Sequence, residues 1–327
     1  KSEIDYRNSV KKKPVAARDL NRGELIKLSD ITYKRVSEEK VETILLEELL
    51  EKKINKSIKK EEIITKDCLE NNIYALIIAR LNSKRLPNKA LIDIAGEPAL
   101  THLIKRVKQS KMINKIILCT TKRREDDKLV ELARRNKVEI FRGADKDVLG
   151  RIIGSVKNYD PNIIIRITGD DILVDPDYID IGLKNHLKNN SEYTDLKELP
   201  SGTEVEIFNF QLLKDINICN TNKNQTEYLT YFITKNSANI KMNSLKVDPK
   251  HNKNWRLTLD TIDDYKVIIR FIDEMKNKGK LNSYRLDDIV EFFNLNGNLF
   301  NLNKVNTIKR TQEEINTKMD WDNLILN

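Results

Sequence analysis

The chain has 327 residues, 39% of them hydrophobic and 33% charged, with a formal net charge of +9. That length suggests two domains, and no stretch approaches the roughly 20 apolar residues of a membrane span, so no membrane partner is expected. Lysines alternate with asparagines and glutamates along the whole chain. The excess charge therefore reads as a solvated surface whose field favours an anionic substrate such as a nucleotide, not as a face for nucleic acid.

The first seventy residues form a section of their own. Without gaps, Arg18 to Ile31 falls on Lys56 to Leu69 with matching apolar and charged character, a weak internal repeat. Each copy reads as a short extended piece, a polar turn and a second apolar piece, with Gly23 able to supply a positive φ in the first turn. Between the copies, Leu45, Leu46, Leu49 and Leu50 have helical spacing within Glu42 to Lys53. The expectation is a small, mainly β domain over residues 1–70 with one helix.

From Ile73 the pattern changes to strands alternating with helices. Ile73 to Ala79, Lys115 to Thr120 and Ile163 to Thr168 are short isoleucine-rich runs, as in strands covered on both faces. Pro98 suits a first helical turn, with Leu100, Leu103, Ile104 and Val107 making one apolar stripe. Further helices are predicted over Glu125 to Asn136 and Asp147 to Tyr159, and Asp175 with Pro176 begins another. After Pro200 come an extended stretch, Gly202 to Phe208, helices at Phe210 to Ile216 and Glu227 to Lys235, and a strand at Trp255 to Leu259. Helices over Thr261 to Met275 and Arg285 to Phe293 close a second domain spanning 73–300. Residues 301–327 are a polar, unassigned tail, although Thr311-Gln-Glu-Glu314 has the form of a capping box. Such alternation implies an α/β fold with a mostly parallel sheet and right-handed crossovers, in which ligands bind at the carboxyl ends of the strands.

Two of those strand ends carry chemistry. The first strand runs into Ala79-Arg-Leu-Asn-Ser-Lys-Arg-Leu-Pro-Asn-Lys-Ala-Leu91, whose cations and hydroxyl suit a triphosphate and its leaving pyrophosphate. The loop resembles that of the sugar-activating cytidylyltransferases, A-R-x-x-S-x-R-L-P-G-K-x-L. Asn88 replaces the glycine, and asparagine tolerates left-handed backbone angles. A later strand ends in Arg166-Ile-Thr-Gly-Asp-Asp-Ile-Leu-Val-Asp-Pro176, similar to the R-I-T-G-D-C-P-L-I-D-P of the spore-coat-polysaccharide type, with Gly169 expected to form a tight turn and Asp171 unusual in being acidic. Trp255-Arg-Leu-Thr-Leu-Asp-Thr-Ile-Asp-Asp-Tyr265 resembles L-R-W-T-V-D-T-P-E-D-Y, with Asp263 and Asp264 as first-turn helix residues outside the site. Phe141 to Arg151 resembles F-R-G-S-x-x-D-V-L-D-R with Gly150 in place of an acid. Pro200 to Glu206 resembles P-D-G-L-D-V-E, and Glu227-Tyr-Leu-Thr230 resembles E-H-V-T with Tyr228 in place of histidine.

The resemblance covers about residues 73 to 295 and implies a Rossmann-like nucleotidyltransferase sheet, similar to that of GT-A glycosyltransferases. It implies that Ala79, Arg80, Ser83, Arg85 and Lys89 bind the nucleotide together with Asp147, Arg151, Arg166 and Asp170. Asp170 and Asp260 would hold magnesium, and Lys89, Arg80 and Arg85 would be catalytic by stabilising pyrophosphate as it leaves CTP. Glu204, Glu206 and Glu227 would meet an acidic acceptor sugar, the alternative for Glu204 and Glu206 being that they simply alternate across a strand, and a homodimer is implied. His102, His186 and His251 lie outside these motifs, the first two read as helix-surface residues, so catalysis by charge and position is expected.

Arg7-Asn-Ser9, Val15 to Ile26 and Lys34-Arg35 resemble the antifreeze-like (SAF) domain of sialic-acid synthases, with Val36-Ser37 in place of P-G and Arg7 at the position of the arginine that reaches the acceptor sugar. Synthase and cytidylyltransferase act in succession on nonulosonic acids. The pairing implies an upstream synthase domain in the same polypeptide, of which this chain would be the carboxyl part. The opening residues have no apolar secretory core, and the cysteines Cys68, Cys119 and Cys219 have neither metal-ligand spacing nor an even count, so free thiols and a cytoplasmic location are expected. Two rival readings are a sugar-nucleotide-dependent glycosyltransferase, for which Asp145-Lys-Asp147 has the D-x-D spelling, and a non-catalytic assembly module, which Asn88, Gly150 and Tyr228 would favour.

Overall fold

Residues 12–35, 44, 46–65, 68–159, 161–220, 226 and 229–301 are described by a computed structural model. Arg7, Val36, Ser37, Glu227, Tyr228 and the tail from residue 302, with its capping-box motif, lie outside the described residues. The chain divides after Asn71 into two units.

In the first unit, β1 (Lys12–Ala16) pairs antiparallel with β2 (Ile31–Arg35). The rest is held by isolated bridges, Leu20 to Ile58 and Leu25 to Lys53 among them. The internal repeat becomes a local two-fold arrangement of hydrogen bonds. Leu20 and Ile58, equivalent positions of the two copies, exchange both backbone bonds at 2.9 Å. The Gly23 amide donates to the Ile54 carbonyl and the Glu61 amide to that of Ala16, both at 2.7 Å. Those two donors are again equivalent, and both have positive φ, 87° at Gly23 and 72° at Glu61. Leu20, Ile26, Ile58 and Ile64 fill the core between the copies. Of the helix predicted over Glu42 to Lys53, the described part is one turn, Leu46–Leu49.

Added side-chain atoms at Gly23 would meet nothing within 4 Å. The cost of Gly23→Ala is therefore purely that of its backbone conformation, about 1 kcal/mol. Urea unfolding of the first unit's transition measures it, and an unchanged midpoint would contradict the positive-φ turn.

The second unit is built on a seven-stranded sheet. Its elements in chain order are β3 (Ile73–Ile78), a two-residue hairpin of β4 (Asp93–Ile94) and β5 (Glu97–Pro98), β6 (Lys115–Thr121), β7 (Glu139–Gly143), β8 (Ile163–Thr168), β9 (Tyr193–Asp195), β10 (Glu206–Asn209) and β11 (Met242–Ser244). The sheet order is β11-β9-β10-β8-β3-β6-β7, with β10 antiparallel to both neighbours and every other pair parallel. Alternate residues of β3 face opposite layers. Ile73, Ala75 and Ile77 pack with the helices Ala99–Val107, Ile262–Asn277 and Leu286–Leu295, while Tyr74 and Leu76 pack with Val148–Ser155, Phe210–Cys219 and Leu229–Lys235. Each large aliphatic side chain so buried contributes about 1.5 to 3 kcal/mol, which is why both faces of the strands read as apolar. The chain leaves β3 for β6 and β7 on one side and returns to β8 on the other. The carboxyl ends of β3 and β8 therefore flank the point where the strand order reverses, the place where such sheets bind ligands.

Several expectations are corrected. Trp255 to Leu259 is not a sheet strand: only Arg256 bridges, to Ser201. Its amides and carbonyls are spent on loops instead, Ser201 N to Trp255 O at 2.9 Å, Leu257 N to Ser201 O at 2.6 Å and Leu259 N to Asp170 O at 2.9 Å. The histidines are not on the helix surfaces. His102 bonds the Ile94 carbonyl at 2.8 Å and His186 the Thr194 hydroxyl at 2.9 Å, and both are buried, as is His251. The three cysteines form no disulfide and are buried. No helix among the described residues is long and apolar enough to cross a membrane.

Burial pushes His186 down to about 4. Its folded pKa is depressed below the unfolded value, so its neutral form supports the fold above about pH 6.5, and that support is lost as the pH falls toward 4. Between pH 7 and about pH 4.5 the native chain should lose about 2 kcal/mol more stability than a His186→Gln variant, read from urea midpoints. Parallel losses in the two proteins would place the titration elsewhere.

Candidate functional site

The loop after β3 folds back on itself through three buried apolar anchors, Leu81, Leu86 and Ala90. Its entry is fixed by buried Asp126, which accepts the Leu81 amide at 2.8 Å and also bonds Thr121. Sequence reading missed Asp126, since nothing but its place after an apolar strand distinguishes it from its acidic neighbours. Asn88 has φ 55° and ψ 25°, the left-handed conformation its amide side chain tolerates. Its amide closes onto the Leu81 carbonyl at 3.3 Å, and Lys89 then opens a short 3-10 turn, Lys89–Leu91. The apolar side chains thus anchor the loop while its cations reach into the site.

The Lys89 ammonium donates to Asp170 Oδ2 at 2.6 Å and to Asp260 Oδ1 at 3.0 Å. Two carboxylates distant in sequence therefore converge on one cation, no farther apart than those two bonds together. Asp170 follows β8, where Gly169 brings the backbone against β3. A side chain at 169 would meet Ala79 Cβ at 2.8 Å, so close packing and not a positive φ accounts for this glycine. Asp260 arrives through the irregular segment that bonds Ser201 and Asp170. Gly202, with φ 99°, is needed there because an added Cβ would lie 2.5 to 2.7 Å from the Leu257–Thr258 backbone.

Asp260 is held further by Arg85, in an ion pair with Oδ2, and by Arg256 at 3.4 Å. Arg256 also grips Asp264 with two parallel bonds of 3.0 Å. Asp264 accepts the amides of Asp260 at 3.1 Å and Thr261 at 2.8 Å, completing a capping box for the Ile262–Asn277 helix. Its place in a helix start is as read from the sequence, but Asp264 also fixes the backbone of Asp260, which spacing alone does not reveal. Burial works against the Lys89 charge, yet the two carboxylates outweigh it and hold the ammonium above its usual range. The same burial opposes the Asp170 charge, and Lys89 overcomes it to hold that carboxyl below the usual range. Asp171 is the opposite case. Burial, with Asp170 and Glu204 beside it, pushes its carboxyl well up, and the Thr168 hydroxyl is its hydrogen-bond partner.

The remaining candidate residues separate from this centre by their partners. Arg80 pairs with Asp145 at 3.3 Å, and Arg123 holds the same carboxylate at 2.6 Å. Ser83 Oγ accepts the Leu86 amide at 3.5 Å within the loop. Asp147 caps the Val148–Ser155 helix, accepting Gly150 N at 2.8 Å and the Thr226 hydroxyl at 3.1 Å. A Cβ at 150 would sit 2.2 Å from its Oδ2, which explains a glycine where an acid is common. The D-x-D spelling of Asp145 to Asp147 is thus divided between an ion pair and a helix cap. Arg151 is buried and bonds the Ala144 carbonyl at 2.8 Å, and burial lowers its pKa. Arg166 on β8 and Glu206 on β10, opposite one another in register, form an ion pair, and Glu206 also accepts from Tyr193 at 2.9 Å and Thr230 at 2.6 Å. Glu204 turns back onto the amides of Gly202 and Thr203, and burial raises it. Glu227 lies outside the described residues.

Among the described residues no three histidine, cysteine or acidic side chains form a ligating group. The Asp170–Asp260 pair nonetheless suits a hard dication that takes one or two protein carboxylates and completes its shell with water and phosphate oxygens. A strand-order reversal, a cationic loop and a converging carboxylate pair thus meet at one end of a mostly parallel sheet, where such folds bind ligands. Residues 74–292 match the cytidylyltransferase family, to which the chain belongs, and residues 15–70 match the SAF domain. The spore coat polysaccharide biosynthesis protein SpsF of Bacillus subtilis is 32% identical over 204 residues, 61% of this chain and 85% of that protein. A 3-deoxy-manno-octulosonate cytidylyltransferase of Geobacter sulfurreducens is 31% identical over 111 residues, 33% of this chain and 43% of the relative. The structure of a cytidylyltransferase from Leptospira borgpetersenii superposes with a TM-score of 0.66 at 26% identity, covering 73% of this chain and all of that one.

Proposed function

We propose that this chain transfers CMP from CTP to an acidic sugar, a nonulosonic acid or a relative, and releases pyrophosphate. The observation that carries the reading is the meeting of Asp170 and Asp260 on one cation beside the loop that ends at Lys89. Asp170 and Asp260 would hold magnesium, which when bound supplies a Lewis acid that neutralises phosphate charge. A sugar hydroxyl attacks the α-phosphorus in line, the new O–P bond replaces the bond to the β-phosphate, and the hydroxyl proton passes to solvent. Lys89 and Arg85, which pair with Asp170 and Asp260, would neutralise the departing pyrophosphate, and Arg80, paired with Asp145, would assist from the same loop. No histidine enters this scheme, because all three are buried in side-chain or carbonyl hydrogen bonds.

The acidic acceptor is supported by the sugar acid in the name of the Geobacter relative and by the SAF domain joined to the same chain. Part of the expected acceptor side is committed elsewhere: Glu206 serves Arg166, so any contact it makes to an acceptor must share that carboxylate. Pyrophosphate release, followed with CTP, magnesium and a panel of octulosonic and nonulosonic acids, tests the reading. Turnover with at least one acid and CTP, and little with ATP or UTP, is the expected result. Turnover confined to neutral sugars would remove the acid, and UDP release from a UDP-sugar would replace the reaction class.

A further inference from the structure

We propose that Lys89 is the resident counter-ion of the carboxylate pair, excluding a free divalent cation until a triphosphate arrives to take the ammonium away. The inference rests on the reading above and concerns the order in which that site fills.

Three observations carry it. The Lys89 ammonium contacts both carboxylates at once, and it does so from a site where its side chain is 17% exposed and those of Asp170 and Asp260 are 24% and 10% exposed. Solvent therefore screens these pairs less than an exposed salt bridge, and a competing cation must displace an ammonium already paired twice. Next, the carboxylates are already served by cations: Lys89 and Arg85 pair with Asp170 and Asp260, and Arg256 with Asp260 and Asp264, so a bare dication must compete with them, whereas a dication bound to triphosphate brings phosphate oxygens that can take the ammonium. Finally, the attachment suits a swing. Leu86 and Ala90 are buried on either side of Lys89, which fixes its backbone, while the four-carbon stem is free to re-aim a compact ammonium from carboxylate to phosphate.

The test uses the full chain and Mn2+ in the absence of nucleotide, with free Mn2+ counted by electron paramagnetic resonance. Lys89→Met should bind Mn2+ about tenfold or more tightly than the native chain, the effect of losing one partly screened cation next to the site. Lys84→Met, which removes a cation of the same loop, should change binding by less than about twofold, since screening weakens a charge that does not touch the carboxylates. Adding CTP should bring the native chain close to Lys89→Met. Binding of Mn2+ no tighter in Lys89→Met than in the native chain overturns the proposal, as does an equal gain in Lys84→Met. Should Lys89→Met fail to fold, the 15N ammonium resonance of Lys89 in the native chain decides: it should move with Mg2+ and CTP together and stay with Mg2+ alone, and equal movement with Mg2+ alone overturns the inference. Failure of the native chain to bind CTP with Mn2+ would sink the cytidylyl-transfer reading itself, a result distinct from these.

Discussion

Asp260→Asn should lower the rate of pyrophosphate release from CTP by about a thousandfold or more, with unfolding midpoints close to native. The substitution keeps the size of the side chain and removes the charge that Lys89, Arg85 and Arg256 share. Charge stabilisation at a developing phosphate centre is worth about two to three orders of magnitude per contact, and this carboxylate organises several at once. Asp170→Asn should fall as far, and the double variant little farther, because two residues that act as one unit do not lose activity additively. A loss below about tenfold in either single variant would show that the reaction is centred elsewhere.

Arg166→Met should cost about 3 kcal/mol of stability, the usual penalty for leaving a buried charge without its partner. Arg166 and Glu206 are 12% and 14% exposed. Burial opposes both charges, yet their mutual attraction raises Arg166 and lowers Glu206, so both stay ionised. Tyr193 and Thr230 still donate to Glu206 in the variant, which sets the cost near the low end. Replacing both partners, as Arg166→Met with Glu206→Leu, should recover only part of the loss, because the buried Tyr193 hydroxyl and that of Thr230 then lose their acceptor. Glu206→Gln, which leaves Arg166 in place, separates two roles of Glu206. A raised KM for the sugar acid with an unchanged KM for CTP would assign it to the acceptor, and unchanged values for both would leave it in the fold. An Arg166→Met chain within about 1 kcal/mol of native stability would mean the pair is solvated.

Local chemistry was legible wherever a residue's role depends on its immediate neighbours. Isoleucine runs gave β3, β6 and β8, Asp175 and Pro176 the start of a helix, and Asn88 a left-handed turn, since each is set by backbone preference or by burial on both faces. The three-residue strands β9 and β11 were not legible, being too short for a period to register and stabilised by pairing supplied from elsewhere. His102 and His186 were misplaced for a related reason: a polar side chain on a helix reads as exposed unless its buried partner, the Ile94 carbonyl or the Thr194 hydroxyl, is known.

Sequence alone determined the two-part division of the chain's character, the alternation of strand and helix, and the residue types that phosphate and a hard cation require. Tertiary structure decided which of those residues work together. It set Asp170 and Asp260 on one ammonium, turned Asp147 into a helix cap, committed Glu206 to Arg166, and made Asp264 the support of Asp260. The reason is that pairing energies between charges fall off over a few ångströms, while the separations that bring these groups together are fixed by strand order and loop closure, which no local pattern encodes.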